Sequence, residues 1–248
     1  LRIAQISDTH HGPYTGRGFV EKAVGLVRAE KPDLVVLTGD YVHKDSAYTP
    51  AGIEPFALLR PPLGLFAVLG NHDHWHDADL TRECLARAGA VDLTNAHALA
   101  EKGGETICLA GVGDLWEDEQ DLAAALDGVE ESALRILLSH NPDYAELMPR
   151  TPRVDLMISG HTHGGQIDLP FLGAPVLPSS CGQKYRAGLV RGPRCPVFVS
   201  RGVGVISPPV RINCPPEVAV LTLIPAGVME PRIPANPQES IRAGSAKD

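Results

Sequence analysis

The chain has 248 residues, 44% apolar and 21% charged, with a formal net charge of −8. That is enough chain and enough apolar content for a real core, and it excludes global disorder. The acidic balance excludes a broad nucleic-acid surface, which needs a basic face, so an anionic ligand must be attracted locally, as bound cations would do.

Short apolar runs recur along the chain, each ending in polar residues or glycine. They are "RIAQIS" (2–7), "DLVVLTG" (33–39), "GLFAVLG" (64–70), "TICLAGVG" (106–113), "LRILLSH" (134–140) and "VDLMISG" (154–160). Their length and their β-branched or leucine-rich content predict buried strands. Helical patterns lie between several of them. In "GFVEKAVGLVRAE" (18–30), Val20, Val24 and Val27 share one stripe, and Pro32 follows. "LTRECLARAG" (80–89) ends on Gly89, and "DEQDLAAALDG" (118–128) starts acidic and ends on glycine. Strands alternating with helices predict an α/β fold with much parallel sheet.

From about 170 the chain is richer in Pro and Gly, with strands at "PVFVS" (196–200) and "EVAVLTLI" (217–224). This predicts a second sheet region of more antiparallel character. No repeat or linker divides the chain, so one catalytic domain over 1–225 is expected. The proline-rich stretch 226–248 is expected to be a flexible tail.

The five cysteines, Cys84, Cys108, Cys181, Cys195 and Cys214, form no CxxC pair. An odd, irregular set is neither a disulfide framework nor a zinc ribbon; reduced, mostly buried thiols are expected. No apolar stretch approaches the roughly 18 residues of a membrane span. The expected location is the cytoplasm, or the membrane periphery if an N-terminal anchor precedes this sequence.

Five apolar runs deliver Asp, Asn or His at their C-terminal ends. These are Asp8-Thr9-His10, Asp40, Asn71-His72-Asp73, His140 and His161-Thr162-His163. Each group alone has an ordinary explanation as a cap, a turn or a structural histidine. "GHTHGG" is the strongest single signal, because alternate residues of an extended segment point the same way. Taken together, five of the ten histidines sit at strand ends, where open α/β sheets bind ligands. Asp, His and one Asn make an oxygen and nitrogen donor set suited to Mn²⁺, Fe or Zn²⁺. Seven candidate ligands (Asp8, His10, Asp40, Asn71, His140, His161 and His163) are too many for one ion and fit two ions sharing a bridge.

The ordered series "DTH", "GD", "GNHD", "SH" and "GHTH" resembles the calcineurin-like metallophosphoesterases over roughly residues 2–224. "GHTHGGQ", "KYRAGL", "VSRGVG" and "PPEVAVLTL" look like its bacterial subgroup of small phosphodiesterases and phosphohydrolases. The resemblance implies a four-layer α/β/β/α sandwich of two mixed sheets flanked by helices, with the metals at one edge. It implies Asp8, His10 and His163 on one ion, Asn71, His140 and His161 on the other, and Asp40 bridging. Mn²⁺ is the favoured metal, with Fe or Zn²⁺ as alternatives.

The expected reaction is hydrolysis of a phosphodiester or pyrophosphate-type diester by in-line attack of a metal-bridging hydroxide. His72 is the expected general acid, and Asp73 is expected to orient it. A small phosphoester, nucleotide-like or a lipid head group, is the expected substrate. The residues leave open a phosphomonoesterase. They also leave a silent metal-binding scaffold, which the full ligand set and His72 disfavour.

His11, His74 and His76 depart from the subgroup pattern. They read as a polar rim, or, for His74 and His76, as contacts to substrate phosphate or a stray metal. Arg201 and Arg211 read as a substrate contact, a support for a ligand-bearing loop, or surface salt bridges. Trp75 and Trp116 read as packing first and as lining of the cleft second. Gly164 and Gly165 are expected to permit a sharp turn and leave room for substrate.

Overall fold

A computed structural model describes residues 1–224; the expected tail lies outside the described residues. The elements in chain order are β1 (Arg2–Ile6), α1 (Arg17–Ala29), β2 (Leu34–Thr38), α2 (Thr49–Ile53), β3 (Leu65–Val68), α3 (Asn71–His76) and α4 (Ala78–Ala88). They continue with β4 (Val91–Asp92), β5 (Ala96–Lys102), β6 (Glu105–Gly111), α5 (Leu122–Ala125), β7 (Leu134–Leu138) and α6 (Tyr144–Leu147). The last are β8 (Leu156–Ser159), β9 (Gly188–Arg191), β10 (Pro196–Val199) and β11 (Ala219–Thr222).

Strand alternation builds the layers, because successive side chains point to opposite faces. On β1, β2 and β3, Ile3, Leu34, Val36, Phe66 and Val68 face one core, while Ala4, Ile6, Val35, Leu37, Leu65 and Ala67 face another. On β6, β7 and β8, Ile107, Leu109, Ile136, Leu138, Leu156 and Ile158 join the first of these cores. Their opposite faces, with Cys108, Ala110, Leu137 and Met157, enter a third core that includes Leu122, Ala125 and Tyr144. Two sheets therefore pack face to face, and each carries helices on its outer side. Each fully buried aliphatic side chain in the central layer contributes about 1.5–3 kcal/mol.

The first sheet has the order β11-β1-β2-β3-β4 and the second β5-β6-β7-β8-β10-β9. The interior pairings β1–β2, β2–β3, β6–β7, β7–β8 and β8–β10 are parallel. The later strands do not form a sheet region of their own, which corrects the expectation from composition. β11 pairs antiparallel with β1 in the first sheet, and β9 and β10 extend the second. Pro and Gly are frequent there because the chain passes between two sheets through turns.

The long helices follow their sequence signals. Val20, Val24 and Val27 are the buried stripe of α1, and Gly89 closes α4 at φ 84°, the left-handed cap that glycine tolerates. The expected helix over 118–128 shrinks to Leu122–Ala125, capped by the Asp121 carboxylate. Asn95 Oδ1 accepts the Asp121 N–H at 2.9 Å and ties the preceding loop to the sheet. All five cysteines are free. Among the described residues no helix is long and apolar enough to cross a membrane.

Candidate metal centre

The loops after β1, β2, β3, β7 and β8 meet at one edge of the sandwich. Beneath them Gln5 occupies an inner-facing strand position. Its amide donates to Thr38 Oγ1 at 2.7 Å and to the Ser159 carbonyl at 2.8 Å, joining the two sheets where the apolar core ends. The loop after β1 is zipped to the loop after β2, with Asp8 N–H on the Gly39 carbonyl and His10 N–H on the Asp40 carbonyl, both at 3.0 Å. Five predicted ligands, Asp8, His10, Asp40, His161 and His163, have φ between 42° and 68°. Such left-handed backbone is uncommon for non-glycine residues and concentrates at functional sites. Gly70 must lack a side chain, since a Cβ there would strike the Asp40 carboxylate and the His140 ring.

The seven predicted ligands are all buried. Asp8, His10, Asp40 and His163 bring one donor atom each within 4.8 Å of one another, and so do Asp40, His140 and His161. Asp40 belongs to both groups, its Oδ2 lying 3.3 Å from His10 Nε2 and 3.3 Å from His140 Nε2. His10 Nε2 lies 2.9 Å from His163 Nε2, and His140 Nε2 lies 3.1 Å from His161 Nδ1. Asn71 Oδ1 is buried with no hydrogen-bond partner. An orphaned amide oxygen among converging imidazole nitrogens and carboxylates is costly in a dry site and is the donor set a divalent cation takes. The residues therefore fit bound metal.

The electrostatics agree with that chemistry at His161, His163 and Asp40; at His140 burial opposes protonation, but Asp40 and Asp8 outweigh it and raise the ring well above its ordinary value. Burial, then neighbouring His140, pushes His161 down to about 3. Burial and His10 hold His163 well below its ordinary value. Both rings are neutral at physiological pH, the form that donates a lone pair. Burial opposes ionisation of Asp40, but His140, His72 and His10 outweigh it and hold the carboxyl well below its usual range. His140 Nδ1 bonds the Thr38 carbonyl at 2.7 Å, which assigns the proton to that nitrogen and turns Nε2 toward the cluster.

Asp73 departs from its expected role. Its Oδ2 accepts the Asp40 and Gly70 N–H groups at 2.8 and 2.9 Å, and its Oδ1 accepts Tyr41 N–H at 2.9 Å. Both oxygens are committed to backbone, and no hydrogen bond to His72 is present. Asp73 clamps the β2 loop onto the start of α3. His72 instead gives its backbone N–H to Asp40 Oδ1 at 2.9 Å, and its ring lies 4.6 Å from that of His10.

The family model described as calcineurin-like phosphoesterase matches residues 1–165. The chain belongs to that family. Phosphodiesterase YaeI of Escherichia coli is 35% identical over 232 residues, covering 90% of this chain and 82% of the relative. The metallophosphoesterase YkuE of Bacillus subtilis is 33% identical over 227 residues, covering 90% and 79%. Among solved structures, the sulfate thiohydrolase SoxB of Thermus thermophilus superposes with a TM-score of 0.55 at 16% identity. That match covers 82% of this chain and 51% of SoxB. TT1561 of the same organism gives a TM-score of 0.54 at 15% identity, covering 82% and 89%. Both structures share the fold of two mixed sheets flanked by helices. Family membership makes this chain a metal-dependent hydrolase of small phosphoesters.

Around this phosphoesterase site stand residues that the strand-end pattern did not bring forward. His43 is buried with both ring nitrogens unpartnered, 5.4 Å from His10 and 5.2 Å from His72 by ring centroid. It follows Asp40 by three residues on no periodic element, so no sequence signal marked it. Burial, then His10, pushes it down to about 4.

Arg211 is the support for a ligand-bearing loop. Its guanidinium donates to the carbonyls of Arg201 and Gly204 at 2.8 and 2.6 Å and to that of His163 at 3.3 Å. Arg201 pairs with Glu217 at 3.2 Å. His76 Nε2 accepts Lys44 N–H at 3.0 Å, a structural bond, while His11 packs against Gly52. His74 faces Asp118 at 3.8 Å.

Gly164 and Gly165 do turn in the left-handed region, at φ 61° and 79°. The space beside them holds Cys214 and Ala174, so they admit the protein's own chain where room for substrate was expected. Trp75 and Trp116 are half-exposed at the rim, not packed inside.

Proposed function

We propose that this phosphoesterase is a phosphodiesterase that hydrolyses a diester or pyrophosphate-type diester at two divalent ions, with Mn²⁺ favoured and Fe or Zn²⁺ the alternatives. The observation that carries the two-ion reading is Asp40, whose one carboxylate oxygen is equidistant from imidazoles of both halves of the cluster. The likeness to a relative named phosphodiesterase, at 35% identity, supports the diester. Asp8, His10, Asp40 and His163 would hold one ion; Asp40, Asn71, His140 and His161 would hold the other. When bound, two such ions supply charge neutralisation for phosphoryl oxygens and acidify water near neutral pH.

The remaining steps belong to the chain's own groups. Asp73 keeps the Asp40 loop in register through three backbone bonds. His72 Nδ1 is buried and unpartnered, free of any structural bond. Burial and the imidazoles of His10, His43 and His140 lower this ring to about 3, against the pull of Asp40. It is therefore neutral before substrate arrives and still carries one N–H. An anionic phosphoester beside it favours uptake of a proton from solvent onto the ring, and His72 would then deliver that proton to the departing oxygen and return to its neutral form.

The test compares bis-p-nitrophenyl phosphate with p-nitrophenyl phosphate on protein loaded with Mn²⁺, with metal content measured by elemental analysis. About two metals per chain and faster diester cleavage are expected. Preference for the monoester would make the site a phosphatase. Activity on neither, with metal bound, would make it a silent scaffold.

A further inference from the structure

Trp75 and Trp116 are the only two tryptophans in the chain. Both stand at the mouth of the metal centre, 51% and 50% exposed. They come from different sheets. Trp75 lies on α3, one turn beyond His72, with its ring 4.7 Å from the imidazole. Trp116 lies in the loop after β6 and meets His161 edge to face at 4.5 Å. The two indoles are within 24° of parallel, with centroids 6.5 Å apart.

A polar bond holds the Trp75 ring where burial does not, and backbone bonds fix the loop that carries Trp116. Trp75 Nε1 donates to Glu117 at 2.7 Å. The Asp114 carboxylate accepts the N–H groups of Trp116 and Glu117 at 2.9 and 3.2 Å, fixing the loop that carries the second ring. An indole left half in water forgoes burial free energy, and a flat partner would recover it.

We propose that Trp75 and Trp116 form a stacking subsite for a planar aromatic group, a nucleobase, carried by the phosphoester whose phosphate lies at the metal centre. The inference rests on the phosphodiesterase reading and names the class of group attached to that phosphate. Each indole touches one residue of the reaction site, so the ring it holds is the one nearest the phosphate. Glu117, which accepts the Trp75 indole N–H, disfavours a further phosphate and suits a neutral ring, while Asp118 is paired with Arg82 at 3.7 Å. A lipid chain would meet the same Glu117 carboxylate and only two flat rings. Stacking of a base on an aromatic side chain changes affinity by about 5- to 150-fold.

Because no other tryptophan is present, intrinsic fluorescence reports on this subsite alone. The full chain, loaded with Zn²⁺, is titrated with adenosine 5′-monophosphate, ribose 5-phosphate and inorganic phosphate. The nucleotide is expected to quench the indoles and to bind about 5- to 150-fold more tightly than ribose 5-phosphate. Trp116→Ala should abolish that advantage, and Trp116→Phe should retain most of it. Equal binding of nucleotide and ribose phosphate, or an undiminished base advantage in Trp116→Ala, would overturn the proposal.

Hydrolysis of bis-p-nitrophenyl phosphate by the same chain loaded with Mn²⁺ separates the two readings. Hydrolysis with no base preference removes the subsite and leaves the phosphodiesterase. Base-dependent quenching with no hydrolysis removes the phosphodiesterase and leaves a nucleotide site.

Discussion

Asp73→Asn is the sharpest perturbation of the site's architecture. The wild-type carboxylate is fully buried and accepts three backbone N–H groups, two on Oδ2 and one on Oδ1. An amide has one oxygen. Turned to the Oδ2 position it keeps the bonds from Asp40 and Gly70, and its NH₂ then faces the Tyr41 N–H, donor against donor. One buried donor is orphaned at about 1–3 kcal/mol, and the two kept bonds lose a partial charge assistance, because burial, then Asp40, pushes the Asp73 carboxyl up to about 7. A loss of about 2–4 kcal/mol follows, a large share of the roughly 5–15 kcal/mol that holds a domain.

Urea unfolding of the metal-free protein measures this loss as a lower midpoint at unchanged slope. Metal affinity should fall with it, because the Tyr41 N–H next to Asp40 loses its acceptor and the anchor of the Asp40 loop is weakened. Asp73→Ala would orphan all three donors and risks not folding, so the amide is the informative variant. If Asp73→Asn were fully stable and lost turnover only on esters with poor leaving groups, the clamp would be wrong. The carboxylate would then be acting through His72.

His72→Ala should retain both metals and lose about 10²–10⁴-fold in turnover on an alkyl diester, and far less on p-nitrophenyl esters, which need no acid. An equal loss on both substrate types would refute the acid role. Asp40→Ala should empty both halves of the cluster, whereas Asn71→Ala should lower occupancy of one; elemental analysis showing wild-type metal content in Asp40→Ala would refute the bridge. Arg211→Met should destabilise the fold by about 2–4 kcal/mol through unpaired carbonyls and weaken metal binding at His163, read by unfolding and by metal titration. Leu109→Ala, in the layer between the sheets, should cost about 2–5 kcal/mol in the same unfolding assay and leave the metal content of the folded protein unchanged.

The interior strands were legible because a strand covered on both faces reads as a continuous apolar run. The ends of β1, β2, β7 and β8 and the start of α3 carry the predicted ligands. The edge strands β4, β5 and β9 were not legible, whereas the edge strand β11 was, within "EVAVLTLI". β5 reads "AHALAEK" with no fully buried residue, and β4 is two residues long. The sequence over 118–128 has the composition of a helix, but Asn95, bonded to Glu119 and Asp121, and Asp114, bonded to Gln120, hold its first residues in a loop. His43 had no pattern to reveal it, since its meaning depends on lying beside His10 and His72.

The candidate donors and their order are written in the sequence, because a divalent cation favours oxygen and nitrogen donors such as Asp, Asn and His, and parallel strands place them at loops. Which oxygen faces which ring is a tertiary matter. Asp40 is shared, Asp73 is bound to three backbone amides, and the indoles stay open to solvent, because each outcome depends on the approach of two separate loops. A pattern read along one strand carries the chemistry of its end. The distance from that end to the next loop is fixed only when the two sheets close on each other.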